Sequence, residues 1–141
     1  MADYFFDEGA MDLPGTWTDR TVHVLEAPAS TGGKHGLMVT REALAPGADF
    51  TSVVEDRLAQ LPRALRGYKL IGRRESVVGG LPAVEIKLSW KSPEGMMFHH
   101  LAYVGLYSSV LTFTASCRAA LEDDCEAVMA GVLASVRFRE R

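Results

Sequence analysis

Four histidines and two cysteines have the widest chemical range in this sequence of 141 residues: His23, His35, His99, His100, Cys117 and Cys125. Imidazoles can move protons or bind metal, and thiols can act as nucleophiles, when spacing brings the right partners together. The histidines form no H-E-x-x-H motif and no i, i+4 pair on a helix. His99 and His100 are adjacent in a strand-like stretch, so they point to opposite faces and cannot jointly hold one ion. Cys117 and Cys125 lack the paired spacing of a zinc site or a disulfide framework, and they read as reduced, structural residues. Ser52, Ser89 and Ser116 belong to no G-x-S-x-G elbow, and Cys117 has no protease-like surroundings. Glu55 and Asp56 diverge as consecutive helical residues, and an exposed polar face explains them. The loop Ala27 to Lys34 is rich in small residues but lacks the G-x-x-x-x-G-K-[ST] spacing, which makes it a hairpin connection rather than a phosphate cradle. The expectation is a protein that is not an enzyme, with no catalytic residue, metal or cofactor.

The elements that would position any site follow from periodicity. Tyr4 to Phe6, Ala10 to Leu13, Thr21 to Leu25 and Gly36 to Arg41 are short strand candidates, separated by Glu8-Gly9, by Pro14-Gly15 and by the loop before Lys34. Pro14 and Gly15 end a strand, and Asp19 and Arg20 are polar punctuation before Val22 and Val24, which share one face of the next. From Asp49, a natural N-cap, the residues Phe50, Val53, Val54, Leu58, Leu61 and Leu65 mark one stripe of an amphipathic helix that Pro62 kinks or ends. A two-residue period then returns. Tyr68 to Glu75 is a strand, and Val77 to Gly80 is a turn. Leu81 to Trp90 and Met96 to Leu106 form a hairpin about Ser92 to Gly95, with Val84, Ile86, Leu88 and Trp90 on one face. Val110 to Cys117 leads into a helix over Ala119 to Leu133, whose stripe is Leu121, Cys125, Val128, Met129, Val132 and Leu133. Trp17 and Trp90 are assigned to structure. Strands, helix, strands, helix is the order of an α+β fold, a largely antiparallel sheet packed against helices.

Composition bounds the function classes. The chain fits a single domain over residues 1–141, with 48% apolar and 23% charged residues. A net charge of −3, with no basic run longer than two residues, removes the electrostatic footprint of a nucleic-acid binder. No segment reaches the ~20 apolar residues that span a bilayer, so no direct membrane insertion is expected. The start Met-Ala-Asp-Tyr carries no basic or long apolar segment, and the expected location is the cytoplasm. Thr21 to Leu25, Gly36 to Val39 and Met96 to Val104 carry apolar groups on both faces, so something must cover the second face of the sheet.

The run Leu13-Pro14-Gly15-Thr16-Trp17-Thr18-Asp19-Arg20-Thr21-Val22-His23-Val24 resembles the L-P-x-x-W-x-D-x-[ST]-[VI]-x-[VI] opening of the effector-associated chaperones of bacterial type VI secretion, within the DcrB-like family. The order of Val39-Thr40-Arg41-Glu42, the helix from Asp49, Gly67-Tyr68-Lys69-Leu70, Gly80-Leu81-Pro82-Ala83, the Trp90 strand and Leu111-Thr112-Phe113-Thr114 extends that resemblance over nearly the whole chain. It implies a PsbP-like fold assembled as a homodimer. It also implies a groove that shields the hydrophobic N-terminal transmembrane helices of a secreted effector before export, reaching the secretion spike protein through that effector. Val22 and Val24 match the groove's β-branched pair, and Met38 or Val39 its neighbouring apolar residue. Arg57 and Leu101 stand where family members often carry glutamines, which leaves Gln60, His99 or His100 as substitutes. Met38, Met96 and Met97 suit a surface that accepts varied apolar helices. The alternative is a DcrB-like or PsbP-like interaction domain serving another protein partner.

Overall fold

The structure, a computed structural model, describes residues 2–6, 8–18, 20–28, 33–106 and 108–139. Two strands, β1 (Ala2–Phe6) and β2 (Gly9–Leu13), form a separate antiparallel hairpin. The main sheet contains β3 (His23–Pro28), β4 (Lys34–Ala43), β5 (Lys69–Val78), β6 (Leu81–Ser92), β7 (Gly95–Leu106) and β8 (Ser109–Arg118). These are antiparallel throughout, in the order β3-β4-β8-β7-β6-β5. The helix α1 (Phe50–Ala64) links β4 to the far edge strand β5, and α2 (Glu122–Ser135) follows β8 through a 3₁₀ turn at Ala119–Leu121. The architecture is α+β, as the element order predicts. Asp19 and residues 29–32 of the predicted hairpin connection lie outside the described residues.

Local chemistry explains the boundaries. The Asp49 carboxylate accepts hydrogen bonds from the Ser52 amide at 2.7 Å and from the Ser52 hydroxyl at 3.1 Å. This satisfies one of the orphan amides of the first turn and holds the Asp49 carboxyl below the usual carboxylate range. Pro62 sits inside the last turn of α1, and the Leu65 amide still closes the helix onto Leu61 at 2.9 Å. Gly79 and Gly80 have φ of 58° and 84°, the paired left-handed conformation of a two-residue hairpin, and a Cβ on Gly79 would lie 2.6 Å from the Phe138 ring. The turn is thus confined to the two glycines, and Val77 and Val78 stay in β5.

The register divides the core into two layers. On one face, Val84, Ile86, Leu88, Leu101, Tyr103 and Val110 are buried with Val54 of α1, and Phe50, Val53, Leu58, Leu61, Leu65 and Trp90 pack around them. On the other, Phe98, Ala102, Val104, Leu111, Phe113, Ala115 and Cys117 are buried with Cys125, Met129 and Leu133 of α2. The predicted apolar stripe of α2 is wider than the buried one, because Val128 is exposed. Trp17 is 63% exposed, with its indole N–H donated to the Pro14 carbonyl at 2.6 Å; it caps a turn and is not a core residue.

Candidate functional site

Helix α1 covers only part of its face. Along β8, residues 111, 113, 115 and 117 are buried beneath α2, whereas Thr112, Thr114 and Ser116 on the α1 side are half-buried. The register extends this open strip to the edge. Thr114 pairs with Met38 and Met38 with Val24, and Thr112 pairs with Thr40, in line with Val22 just before β3. Val22, Val24 and Met38 are 48%, 63% and 41% exposed. Strands lie about 4.8 Å apart, so the strip over β3, β4 and β8 is wide enough for one helix of roughly 10 Å diameter.

Charge marks both ends of this trough. At one end Arg57 reaches from α1 to Glu42 on β4, with its Nε 2.9 Å from the carboxylate, and this pairing holds the guanidinium firmly charged. At the other end the floor widens into a concavity of about 680 Å³ bordered by Met97, Ser116, Arg118 and the exposed Glu26–Lys34 pair. From Lys34 to Glu42 the strand covers about 26 Å at its usual rise, the length of about 17 helical residues. The trough therefore has the width and length of a single helix.

The structure brings Val22, Val24, Met38, Arg57 and His99 to one face of the sheet. It does not bring Val39, which pairs with Phe113 and packs into the α2-side core. Leu101 points toward the correct face but is buried in the core that α1 covers, so it is not part of the open surface. Gln60 is exposed and donates to Asp56 at 3.1 Å. His99 accepts a hydrogen bond at Nε2 from the Trp90 indole at 3.0 Å, with the rings edge to face. Burial lowers its pKa, so the neutral ring keeps its proton on Nδ1, which makes it a donor on the trough side of the sheet. From sequence alone the hydroxyls of Thr40, Thr112, Thr114 and Ser116 have no binding role. The signal is the alternation of Thr112, Thr114 and Ser116 in β8, which reads as one face of a strand with no indication of what it meets.

His100 is excluded from this surface. It lies on the α2 side, buried, with Nε2 2.7 Å from the Glu85 carboxylate, which Arg74 also approaches at 3.3 Å. Burial lowers the His100 pKa, and the neighbouring carboxylate only partly opposes this. Burial pushes the Glu85 carboxyl up, but its polar neighbours Ser76, His100 and Arg74 outweigh it and the net direction is down. Both groups make stability fall with acid. A histidine depressed below 6.5 favours the fold above that pH and loses the contribution as pH falls toward its folded value. A glutamate depressed below 4.5 does the same in a lower window. Thermal melts should therefore show a decline in Tm that begins below pH 6.5 and steepens below 4.5. His100→Gln should flatten the upper part, and an unchanged upper slope would place its origin elsewhere.

No helix among the described residues is long and apolar enough to cross a membrane. The structure is similar to that of PA94, a Pseudomonas aeruginosa protein of unknown function, with a TM-score of 0.85 and 21% identity over 100% of this chain and 99% of that one. It is similar to LpqN, involved in cell envelope biogenesis in Mycobacterium tuberculosis, with a TM-score of 0.64 and 16% identity over 87% and 83% of the two chains. Cyanobacterial PsbP (CyanoP) from Synechocystis sp. PCC 6803 gives a TM-score of 0.55 and 14% identity over 72% and 65%. At these identities the likeness establishes the fold, which is PsbP-like. In sequence the chain is 26% identical over 92 residues to a P. aeruginosa protein named Effector EagT6, a match that spans 64% of this chain and 64% of that protein. Residues 8–135, from the turn before β2 to the end of α2, match the DcrB family, and the chain belongs to that family.

Proposed function

We propose that this protein is a non-enzymatic chaperone of a type VI secretion effector, acting in the cytoplasm and holding the effector's hydrophobic N-terminal transmembrane helices in the trough beside α1. The observation that carries this reading is the uncovered face of β3, β4 and β8, where Val22, Val24 and Met38 stay exposed in a strip sized for one helix. The sequence relationship to Effector EagT6 supports the choice of an effector as occupant. Each uncovered apolar Å² contributes about 25 cal/mol when buried, so a few hundred Å² offers several kcal/mol before the costs of association. The threonine hydroxyls and the His99 Nδ1–H would meet polar atoms of the bound helix, the role for which the family's glutamines are absent here. Arg57 would border the trough through its pair with Glu42.

The proposed chaperone works as a homodimer, two troughs forming the cradle, and reaches the secretion spike through its cargo. Light scattering should return twice the chain mass at micromolar concentration, and a strict monomer would remove the two-trough cradle. The direct test is co-purification with the N-terminal region of a candidate effector, one whose gene lies beside that of this chain and which carries N-terminal apolar helices. Capture of that region, and loss of capture when its apolar helices are deleted, is the expected result. Capture that is indifferent to the deletion would favour an interaction domain for another kind of partner.

A further inference from the structure

We propose that His35, Cys117 and Cys125 form a binding site for a thiophilic divalent cation, of which zinc is the best fit. The three residues are remote in sequence and come from β4, β8 and α2. The antiparallel register that pairs Gly36 with Ser116 sets His35 one step further on, opposite Cys117, and the first turns of α2 lower Cys125 onto both. One donor atom from each lies within 4.8 Å of the others, and the residues are only 7%, 2% and 0% exposed. A tetrahedral zinc with Zn–S near 2.3 Å and Zn–N near 2.0 Å holds its donors about 3.5–3.8 Å apart, so closing the set needs shifts of roughly 1 Å.

Two further observations favour a cation over ordinary core packing. The Nδ1 of His35 is buried with no hydrogen-bond partner among the described residues, a costly state for an imidazole nitrogen unless something binds there. Both thiols are free and buried. Charge and softness select the ion. Two thiolates neutralise a divalent cation, the state that apolar burial tolerates, and a sulfur and nitrogen donor set excludes magnesium and calcium. A cavity of about 140 Å³ that touches His35 and Cys125 leaves room for a fourth ligand. The ion would tie α2 to both strands beneath it, independently of what fills the trough on the opposite face.

The experiment uses the full chain, reduced and stripped with a chelator, titrated with Co²⁺ and then Zn²⁺. A sulfur-to-cobalt charge-transfer band should saturate at one ion per chain and be displaced by zinc, and zinc should raise Tm. Cys117→Ser and Cys125→Ser should each weaken zinc binding by about 100-fold or more, beyond the range seen for residues outside the ligand set, and His35→Gln should weaken it as well. Absence of the band from the reduced wild-type chain overturns the site, a result that needs no variant to fold. So does a band that survives in the Cys117→Ser/Cys125→Ser double variant.

Discussion

Replacing Val22 and Val24 together by Asp should abolish effector capture while leaving the fold intact. Both side chains are about half or more exposed, at the edge of the sheet, so the free protein loses little buried area. The cost to stability is set by strand propensity, which spans about 1 kcal/mol, and an edge strand tolerates charge well. In the complex the same two carboxylates would face an apolar helix. Each uncompensated burial costs about 1–3 kcal/mol, so the pair should weaken binding by at least ~30-fold. The measurement is co-purification with the effector's N-terminal region, alongside a melt and light scattering of the variant alone. A folded, dimeric variant that still retains its effector moves the binding face elsewhere. A variant that becomes monomeric assigns the two valines to the subunit interface. Unfolding would make them core, which their exposure argues against.

How far the sequence could be read depends on the range of the forces involved. Asp49 was legible as an N-cap because its partner, Ser52, is three residues away. The face shared by Val84, Ile86, Leu88 and Trp90 was legible because a strand's period is a backbone property. Periodicity says which residues share a face and nothing about which face a helix covers. Met38 and Val39 were therefore equivalent in the sequence, and only the seating of α1 over β5, β6 and β7 separates an exposed methionine from a valine packed in the α2-side core. Leu101 has the right parity for the groove and fails for the same reason, since α1 covers that row. Trp17 carries a large apolar ring that pattern reasoning assigns inward, yet its indole is bound to a local carbonyl and remains outside. The cluster of His35, Cys117 and Cys125 had no spacing signature at all. It is created by one register between β4 and β8 and by the angle at which α2 returns to the sheet.

Trp90 offers the largest single effect on stability, and it links the core to the trough. Its ring packs against the buried cluster that includes Val54, Ile86 and Leu88, while its N–H is donated to His99 on the neighbouring strand. Trp90→Ala removes the ring and leaves a cavity, with an expected cost of about 3–5 kcal/mol, toward the lower bound because the side chain is half-buried. Chemical denaturation measures this directly, and a change below ~1 kcal/mol would show that the site collapses or that the ring is not part of the core. Trp90→Phe separates the two roles. It keeps most of the packing but removes the donor, at a cost near the ~0.5–1.5 kcal/mol of one hydrogen bond. Loss of the N–H that favours the neutral ring lets Nε2 take a second proton more readily, so the His99 pKa should rise, while the burial that lowers it remains. NMR titration of the His99 ring follows that shift. Weaker effector capture at neutral pH, where the ring is still mostly neutral, would show that the trough needs the Nδ1–H tautomer that the Trp90 bond fixes. A rise with capture unchanged would leave the threonine hydroxyls as the polar partners of the bound helix.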